Sequence, residues 1–211
     1  LRTVTGVQTC ALPISISIDD IKRLRELTGV GMTDAKQALE AASGDFDAAL
    51  KEMRKKGMTK AEKRGEREAR QGLVGTYNHD NRIGVVVELN CETDFVARNE
   101  IFQSLLKDVA MHVAASAPVY VSAEDIPADV REAKKQELLA SDSLAGKPEE
   151  MKEKIVEGQL GKYFAELCLL EQPFIKNPDQ TVGDYVKEHI ARLGENIVVR
   201  RFSRIALGEV A

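Results

Sequence analysis

The amino-acid sequence predicts an α+β protein, with a three-helix unit first and then a small antiparallel sheet covered by helices on one side. Three observations indicate this fold. Apolar residues recur at helical spacing over residues 17–55, β-branched residues dominate residues 73–89, and helical spacing returns with a wide apolar stripe from Ile101. At 211 residues, the chain is long enough to form one or two domains.

The N-terminal unit is predicted to contain three short helices. Ser17 can cap the first helix and Gly29 can end it. Gly44 can close the second helix before Asp45 caps the third. The three apolar stripes are formed by Ile18, Ile21 and Leu24, by Ala35, Ala38, Leu39 and Ala42, and by Phe46, Ala49, Leu50 and Met53.

Residues 54–70 form a strongly basic segment. Its sequence, RKKGMTKAEKRGEREAR, contains eight Lys or Arg residues and three Glu residues, which gives a net charge of +5. Runs of charge are usually solvated, so a linker or an exposed helix is the first interpretation. An RNA-binding or ribosome-associated module is the alternative function, although the segment contains no aromatic residue on which bases could stack.

A β-hairpin and a covering helix are predicted next. β-Branched and aromatic residues mark strands on either side of the polar turn His79-Asp80-Asn81-Arg82. Asn99 can cap the helix that follows, and the apolar stripe of this helix is wide enough to cover the sheet. That stripe consists of Ile101, Phe102, Leu105, Leu106, Val109, Ala110 and Val113.

Two charged helical segments follow, over residues 128–145 and 149–170. Only Gly146-Lys147-Pro148 separates them, and helices joined by so short a turn run antiparallel. A last helix is then predicted around Val182 to Leu193, and residues 196–207 predict a closing strand.

These elements suggest a division of the chain into domains. We expect residues 1–15 to be a tail outside the folded domains, because they show no helical or alternating pattern. Residues 16–55 form the three-helix module and residues 56–72 the basic linker. The α+β core then covers residues 73–211, with its helical hairpin at about 128–170.

Composition limits the classes of function. The net charge of −4 opposes a surface built wholly for phosphate backbones. Cys10, Cys91 and Cys168 lie far apart, so neither a disulfide framework nor a zinc site is predicted. The strongest apolar run, residues 83–87, is far shorter than the roughly 20 residues of a membrane-spanning helix. We therefore expect a cytoplasmic protein that does not bind a membrane.

No catalytic motif is recognisable. Gly146-Lys147 and Gly161-Lys162 are followed by Pro and Tyr, so neither completes a phosphate-binding loop. His79, His112 and His189 are scattered along the chain and form no recognisable triad; His189 is best interpreted as a core histidine. An enzyme is therefore the least favoured class, and no catalytic or metal-binding residue and no cofactor is predicted.

The segment between the hairpin and the covering helix is unusual, because polar residues there surround a large aromatic one. It reads Asn90-Cys91-Glu92-Thr93-Asp94-Phe95-Val96. Composition alone favours Phe95 as a core residue and Asp94 as a first-turn carboxylate, since aromatic residues are mostly buried. The residues themselves leave a functional role open.

Five motifs occur in a characteristic order: LTGVGM at residues 27–32, NCETDFVA at 90–97, AMHVAA at 110–115, QPF at 172–174 and GENI at 194–197. In these motifs the chain resembles the bacterial elongation factor Ts family, over about residues 18–207. The resemblance implies an N-terminal module similar to ubiquitin-associated domains, followed by a core of small antiparallel sheet, flanking helices and a helical hairpin. It also implies the short form of the family, with one core subdomain.

The function implied by the resemblance is guanine-nucleotide exchange. Members bind the GTPase elongation factor Tu and promote GDP release during polypeptide elongation. They are not enzymes, and they need no cofactor and bind no nucleotide directly. For the short form, the resemblance implies a homodimer.

The resemblance also implies contact residues, carried over only where the motifs match. Asp94 and Phe95 correspond to the pair that enters the GTPase near its magnesium, with Phe95 as a wedge between Thr93 and Val96. His112 matches a contact on the core helix. The residues that match the family's gripping surface on the N-terminal module are Lys22, Arg25, Met32 and Lys36.

Overall fold

A computed structural model describes residues 16–141 and 149–209, and these confirm the predicted α+β class. The chain divides into two compact units, the first ending at Gly57 and the second beginning at Met58. The predicted tail and the predicted turn Gly146-Lys147-Pro148 lie outside the described residues.

The first unit contains three helices, as predicted: α1 (Ile18–Thr28), α2 (Met32–Ala41) and the start of α3 (Phe46–Arg64). The predicted caps are confirmed. The Ser17 hydroxyl accepts a bond from the Asp19 amide, and Gly29 ends α1 in the left-handed conformation at φ 67°. The apolar stripes meet in one core, made by Ile21, Leu24, Ala35, Ala38, Leu39, Ala49 and Met53. The prediction was wrong for Ile18, which is exposed at the first position of α1.

Helix α3 is longer than predicted. It runs to Arg64, well into the basic segment, so this part of the segment is helical. The sequence shows no apolar stripe here, but Ala61 is buried in the core of the second unit. Arg64 also donates from its guanidinium to the Ile190 carbonyl at 3.2 Å. Ala, Lys and Arg favour helix, and these two contacts explain why the helix continues.

The second unit is built on a three-stranded antiparallel sheet in the order β1-β2-β5. Its strands are β1 (Gln71–His79), β2 (Ile83–Cys91) and β5 (Ile197–Ala206). The predicted hairpin is confirmed, and Asp80 and Asn81 in its turn adopt positive φ values of 51° and 56°. Two consecutive positive φ values suit the right-handed twist of the flanking strands.

Helices cover one face of this sheet, as predicted. The short α4 (Asp94–Ala97) leads into α5 (Glu100–Ser116), and α8 (Val182–Leu193) lies beside α5. Alternate β2 side chains point into the core beneath them, together with the apolar stripes of both helices. The central members are Val85, Val87, Leu89, Phe102, Leu105, Val109, Val113, Val186 and Ile190.

The predicted helical hairpin consists of α6 (Ala128–Leu139) and α7 (Glu149–Leu167). The Arg131 guanidinium lies 5.6 Å from the centre of the Phe164 ring, and the Lys134 ammonium lies 4.5 Å from that of Tyr163. The later residue of α6, Lys134, thus contacts the earlier residue of α7, Tyr163. The two helices therefore run antiparallel. A short ribbon of β3 (Pro173–Phe174) and β4 (Asn177–Thr181) was not predicted.

Close packing at Gly75 generates a stability prediction. A Cβ at Gly75 in β1 would lie only 2.6 Å from Leu106 Cγ, whereas a Cβ at Gly84 in β2 would meet no atom within 4 Å. We expect Gly75→Ala to lower the free energy of unfolding by about 1–3 kcal/mol, because an overpacked core must shift. Gly84→Ala is the matched control and should leave stability nearly unchanged. Urea unfolding followed by circular dichroism measures both, and equal midpoints would contradict the prediction.

Candidate functional site

The polar segment around Phe95, between the hairpin and the covering helix, forms a single helical turn. Thr93 is the N-cap of α4, with its hydroxyl oxygen 3.4 Å from the Val96 amide that donates to it. We call residues 93–96 the wedge turn. It begins two residues after β2 ends, and Asn99 caps α5 shortly beyond it, so regular elements hold it at both ends.

Phe95 projects from the wedge turn into solvent, with 82% of its surface exposed. The composition-based interpretation of Phe95 as a core residue is therefore wrong. Its neighbour Asp94 is also exposed and pairs with Arg98 at 3.1 Å, one helical turn away. Val96 is half-buried against the core and Ala97 is buried, so the turn presents an acid and an aromatic outward while its other side packs inward.

Polar contacts from a distant turn hold the base of the wedge turn. The Glu195 carboxylate accepts from the Thr93 amide at 3.0 Å and from the Thr93 hydroxyl at 2.7 Å. The Asn196 amide donates to the Glu92 carboxylate at 2.7 Å. Glu195 and Asn196 belong to the GENI motif, but sequence reasoning assigned them no role. The one signal in the sequence was that GENI and NCETDFVA are both among the motifs that carry the family resemblance.

The four module residues named by the resemblance are all exposed. Lys22 and Arg25 are three residues apart on α1, and Met32 and Lys36 are four residues apart on α2, so each pair shares one face of its helix. Lys36 forms a 3.6 Å ion pair with Glu40 on the solvent side of α2.

His112 lies inside the second unit and is fully buried. Its Nε2 lies 2.9 Å from the Gln172 side-chain oxygen, and its Nδ1 accepts from the Ile175 amide at 3.3 Å. Because the Gln172 amide nitrogen already donates to the Glu166 carbonyl, these partners assign the proton to Nε2. Burial lowers the pKa of His112. The direct partner contact stays a prediction; in this chain the ring joins α5 to the residues on either side of β3, Gln172 and Ile175.

A second polar cluster lies beside His112 and was not predicted. Asp108 accepts from the Lys176 ammonium at 2.6 Å and from the Tyr185 hydroxyl at 2.8 Å. Burial and the bond to Asp108 raise the pKa of Tyr185. His189 donates from Nδ1 to the Tyr185 carbonyl at 2.8 Å, which supports its interpretation as a core histidine. The cluster holds α8 against α5.

In residues 16–141 and 149–209, no group of three or more His, Cys, Asp or Glu side chains is placed to hold a metal ion. Cys91 and Cys168 are buried, and burial raises the pKa of each thiol. Across the part of the chain that the structure describes, no helix is both long and apolar enough to cross a membrane.

The fold and the site define an α+β protein that exposes an aromatic side chain on a short helical turn, and a carboxylate from a distant loop binds the start of that turn. Residues 32–209 match the family model described as elongation factor TS. The chain belongs to this family.

Close relatives agree with this assignment. The chain is 50% identical over 196 residues to an elongation factor Ts of Thermodesulfovibrio yellowstonii, an alignment that covers 93% of this chain and 98% of the relative. It is 49% identical over 197 residues to that of Geobacter sulfurreducens, covering 93% and 91%. It is 56% identical over 191 residues to that of Prochlorococcus marinus, covering 90% and 88%. The resemblance recognised in the sequence is confirmed.

The buried state of His112 generates a prediction about pH. Its pKa is lowered in the folded chain from 6.5, so unfolding takes up a proton as the pH falls below about 6.5. Stability is therefore retained above that pH and lost below it, by up to about 1.4 kcal/mol per pH unit. We expect His112→Asn to flatten the decline in melting temperature between pH 7.5 and 5.5.

His79 supplies the control, because it is an exposed histidine at the tip of the hairpin. His79→Asn should leave the decline unchanged. An equally steep decline in His112→Asn and in the parent protein would contradict the prediction.

Proposed function

We propose that this protein is a guanine-nucleotide exchange factor that binds the GTPase elongation factor Tu and promotes GDP release during polypeptide elongation. Membership of the elongation factor Ts family supports the proposal. The observation that carries it is the exposure of Phe95 on the wedge turn, within the motif through which the family resemblance implies contact with the GTPase.

The physical basis of exchange is linkage between two ligands of one protein. A factor that binds the nucleotide-free GTPase more tightly than the GDP-bound GTPase lowers the affinity for GDP by the same ratio. No covalent bond is made or broken. The chain therefore acts through a surface and not as an enzyme, and it needs no cofactor of its own.

Phe95 is suited to act as a wedge. An exposed aromatic ring gains free energy when it enters an apolar gap in a partner, because its surface leaves water. Asp94 enters beside it and brings a negative charge close to the partner's metal and phosphate site. Displacing groups that bind the metal weakens the contacts on which much of the affinity for GDP depends, so GDP dissociates faster.

The first unit contributes binding. Lys22, Arg25 and Lys36 present positive charge, and Met32 presents a flexible apolar side chain with 40% of its surface exposed. Such a mixture suits a protein surface, where a polarizable side chain adapts to its contact. We propose that this surface grips the nucleotide-binding domain of the GTPase in the cytoplasm, while His112 acts from within the core by holding α5 in place.

The wedge role generates a kinetic prediction. We expect Phe95→Ala to lower the maximal rate of factor-stimulated GDP release by about tenfold or more, with a smaller loss in affinity for the GTPase. Release of a fluorescent GDP analogue from a bacterial elongation factor Tu, measured at increasing factor concentration, separates the two quantities.

Val119→Ala is the control for this experiment, because Val119 is another exposed apolar side chain of the second unit, with 57% of its surface exposed. It should leave both quantities unchanged. Equal maximal rates for Phe95→Ala and the parent would reject the wedge role.

We also propose that the chain forms a homodimer through the outer face of the sheet. Side chains of β1, β2 and β5 expose apolar surface there, with Val74 at 66%, Val86 at 44% and Ile205 at 74%. Arg201 and Glu88 form a 2.6 Å ion pair on the same face. A sheet face with apolar residues is usually covered, and a second copy would complete two sheets packed against each other.

The dimer proposal predicts that a charged side chain on the outer face of the sheet turns the dimer into a monomer. In a two-fold interface, like residues lie near each other, so Val86→Glu would place two negative charges close together. We expect Val86→Glu to sediment as a monomer at concentrations where the parent is a dimer. Val119→Glu is the control and should sediment as the parent does. Identical dimers for Val86→Glu and the parent, or a monomeric parent, would contradict the proposal.

A further inference from the structure

The GENI motif lies in the turn between α8 and β5, and the exchange mechanism assigns no role to it. Gly194 ends α8 at φ 82°, and its amide donates to the Ile190 carbonyl. Glu195 and Asn196 follow at once, before β5 begins at Ile197. Because Cys91 pairs with Ile197 at the end of the β2–β5 ladder, the two residues after Cys91 lie opposite the two residues before Ile197.

These four residues form a reciprocal contact, which we call the latch: Glu92, Thr93, Glu195 and Asn196. Each side contributes one carboxylate that accepts from the other side, Glu195 from Thr93 and Glu92 from Asn196. The Asn196 side-chain amide also donates to the Arg67 carbonyl at 2.6 Å, and its residue is buried. The latch is therefore part of the packed core at one end and reaches the wedge turn at the other.

Two kinds of contact hold the turn that carries Phe95: the packing of Val96 and Ala97 on the core, and the latch. Helix α4 has only four residues, so it is too short to keep an orientation by its own hydrogen bonds. Phe95 itself is almost wholly in solvent, so packing does not hold its ring. Thr93, two residues earlier, is bonded through both its amide and its hydroxyl to one carboxylate. Charge-assisted bonds of this kind are short and directional, and they set the orientation of the backbone that carries Phe95.

We propose that Glu195 is a positioning residue for nucleotide exchange: by binding both donors of Thr93, it holds Phe95 in the direction in which it enters the GTPase. This inference rests on the proposed exchange function. Glu195 itself does not need to contact the partner, and it acts only through Thr93.

Glu195→Gln tests the role with almost no change in shape. The amide keeps one acceptor oxygen but places an NH₂ group against one of the two Thr93 donors, so one bond is lost and two donors meet. We expect the maximal rate of GDP release to fall by about tenfold, because a misdirected ring fits less closely into the gap that it enters. The factor concentration that gives half the maximal rate should change by less than about twofold. An unchanged maximal rate would overturn the proposal.

A double substitution separates positioning from general loss of structure. In Phe95→Ala protein there is no wedge to position, so adding Glu195→Gln should not lower the maximal rate further. Two reductions that multiply would show that Glu195 acts independently of Phe95 and would overturn the proposal. If the parent protein does not accelerate GDP release, the exchange proposal fails. If the parent accelerates release and Phe95→Ala does so equally well, the wedge role fails, and the positioning role fails with it. If Phe95→Ala slows release and Glu195→Gln does not, only the positioning role fails.

Two controls and one structural measurement complete the test. Glu137→Gln changes a carboxylate that pairs with Lys134 on α6, far along the chain from the latch, and should leave release unchanged. Met32→Ala should raise the half-maximal concentration without lowering the maximal rate. Hydrogen exchange of the wedge turn should be faster in Glu195→Gln while α5 stays protected.

A second variant covers the case in which Glu195→Gln folds poorly. Glu195→Asp keeps the charge but shortens the side chain, and it must show the same loss of GDP release. Unchanged GDP release and unchanged hydrogen exchange in Glu195→Asp would overturn the proposal.

Discussion

Phe95 gains nothing from the hydrophobic effect in the isolated chain, because its ring lies in water. Its direction must therefore come from the backbone beneath it, and that backbone is bonded through Thr93 to the Glu195 carboxylate. The sheet supplies both partners: β2 leads to Thr93, and β5 is preceded by Glu195, with Cys91 and Ile197 paired between them. Because these two strand ends lie side by side, Glu195 lies within bonding distance of Thr93, so the position of the wedge turn is tied to the sheet topology.

The core that supports this arrangement contains several buried polar side chains. His112 is bonded at both ring nitrogens, and Asp108 binds Lys176 and Tyr185. Buried polar groups are costly unless every one finds a partner, and among the described residues no buried side-chain nitrogen or oxygen lacks one. Such contacts are directional, unlike apolar packing, so they fix how α5 and α8 lie on the sheet.

The two units suit different parts of the proposed reaction. The first unit presents exposed basic and apolar side chains on short helices, which suits binding. The second unit exposes Phe95 on the wedge turn, which Glu195 holds in place, and such a ring is suited to displace groups of the partner locally. Exchange requires that binding free energy be greater without nucleotide than with it, so affinity alone is not enough. A wedge that fits only a displaced arrangement of the partner supplies that difference.

Much of the fold and part of the site could be predicted from the sequence. Apolar periodicity and caps such as Ser17, Gly29 and Asn99 determined the helices and the hairpin, because these signals act within a few residues, and motif resemblance pointed to residues 93–96. Only the tertiary structure decided that Phe95 is exposed, that His112 is buried, that α3 continues to Arg64 and that Glu195 binds Thr93. The reason is distance along the chain: Glu195 and Thr93 are 102 positions apart. Burial and pairing depend on which segments meet in space, and no local pattern of residues carries that information.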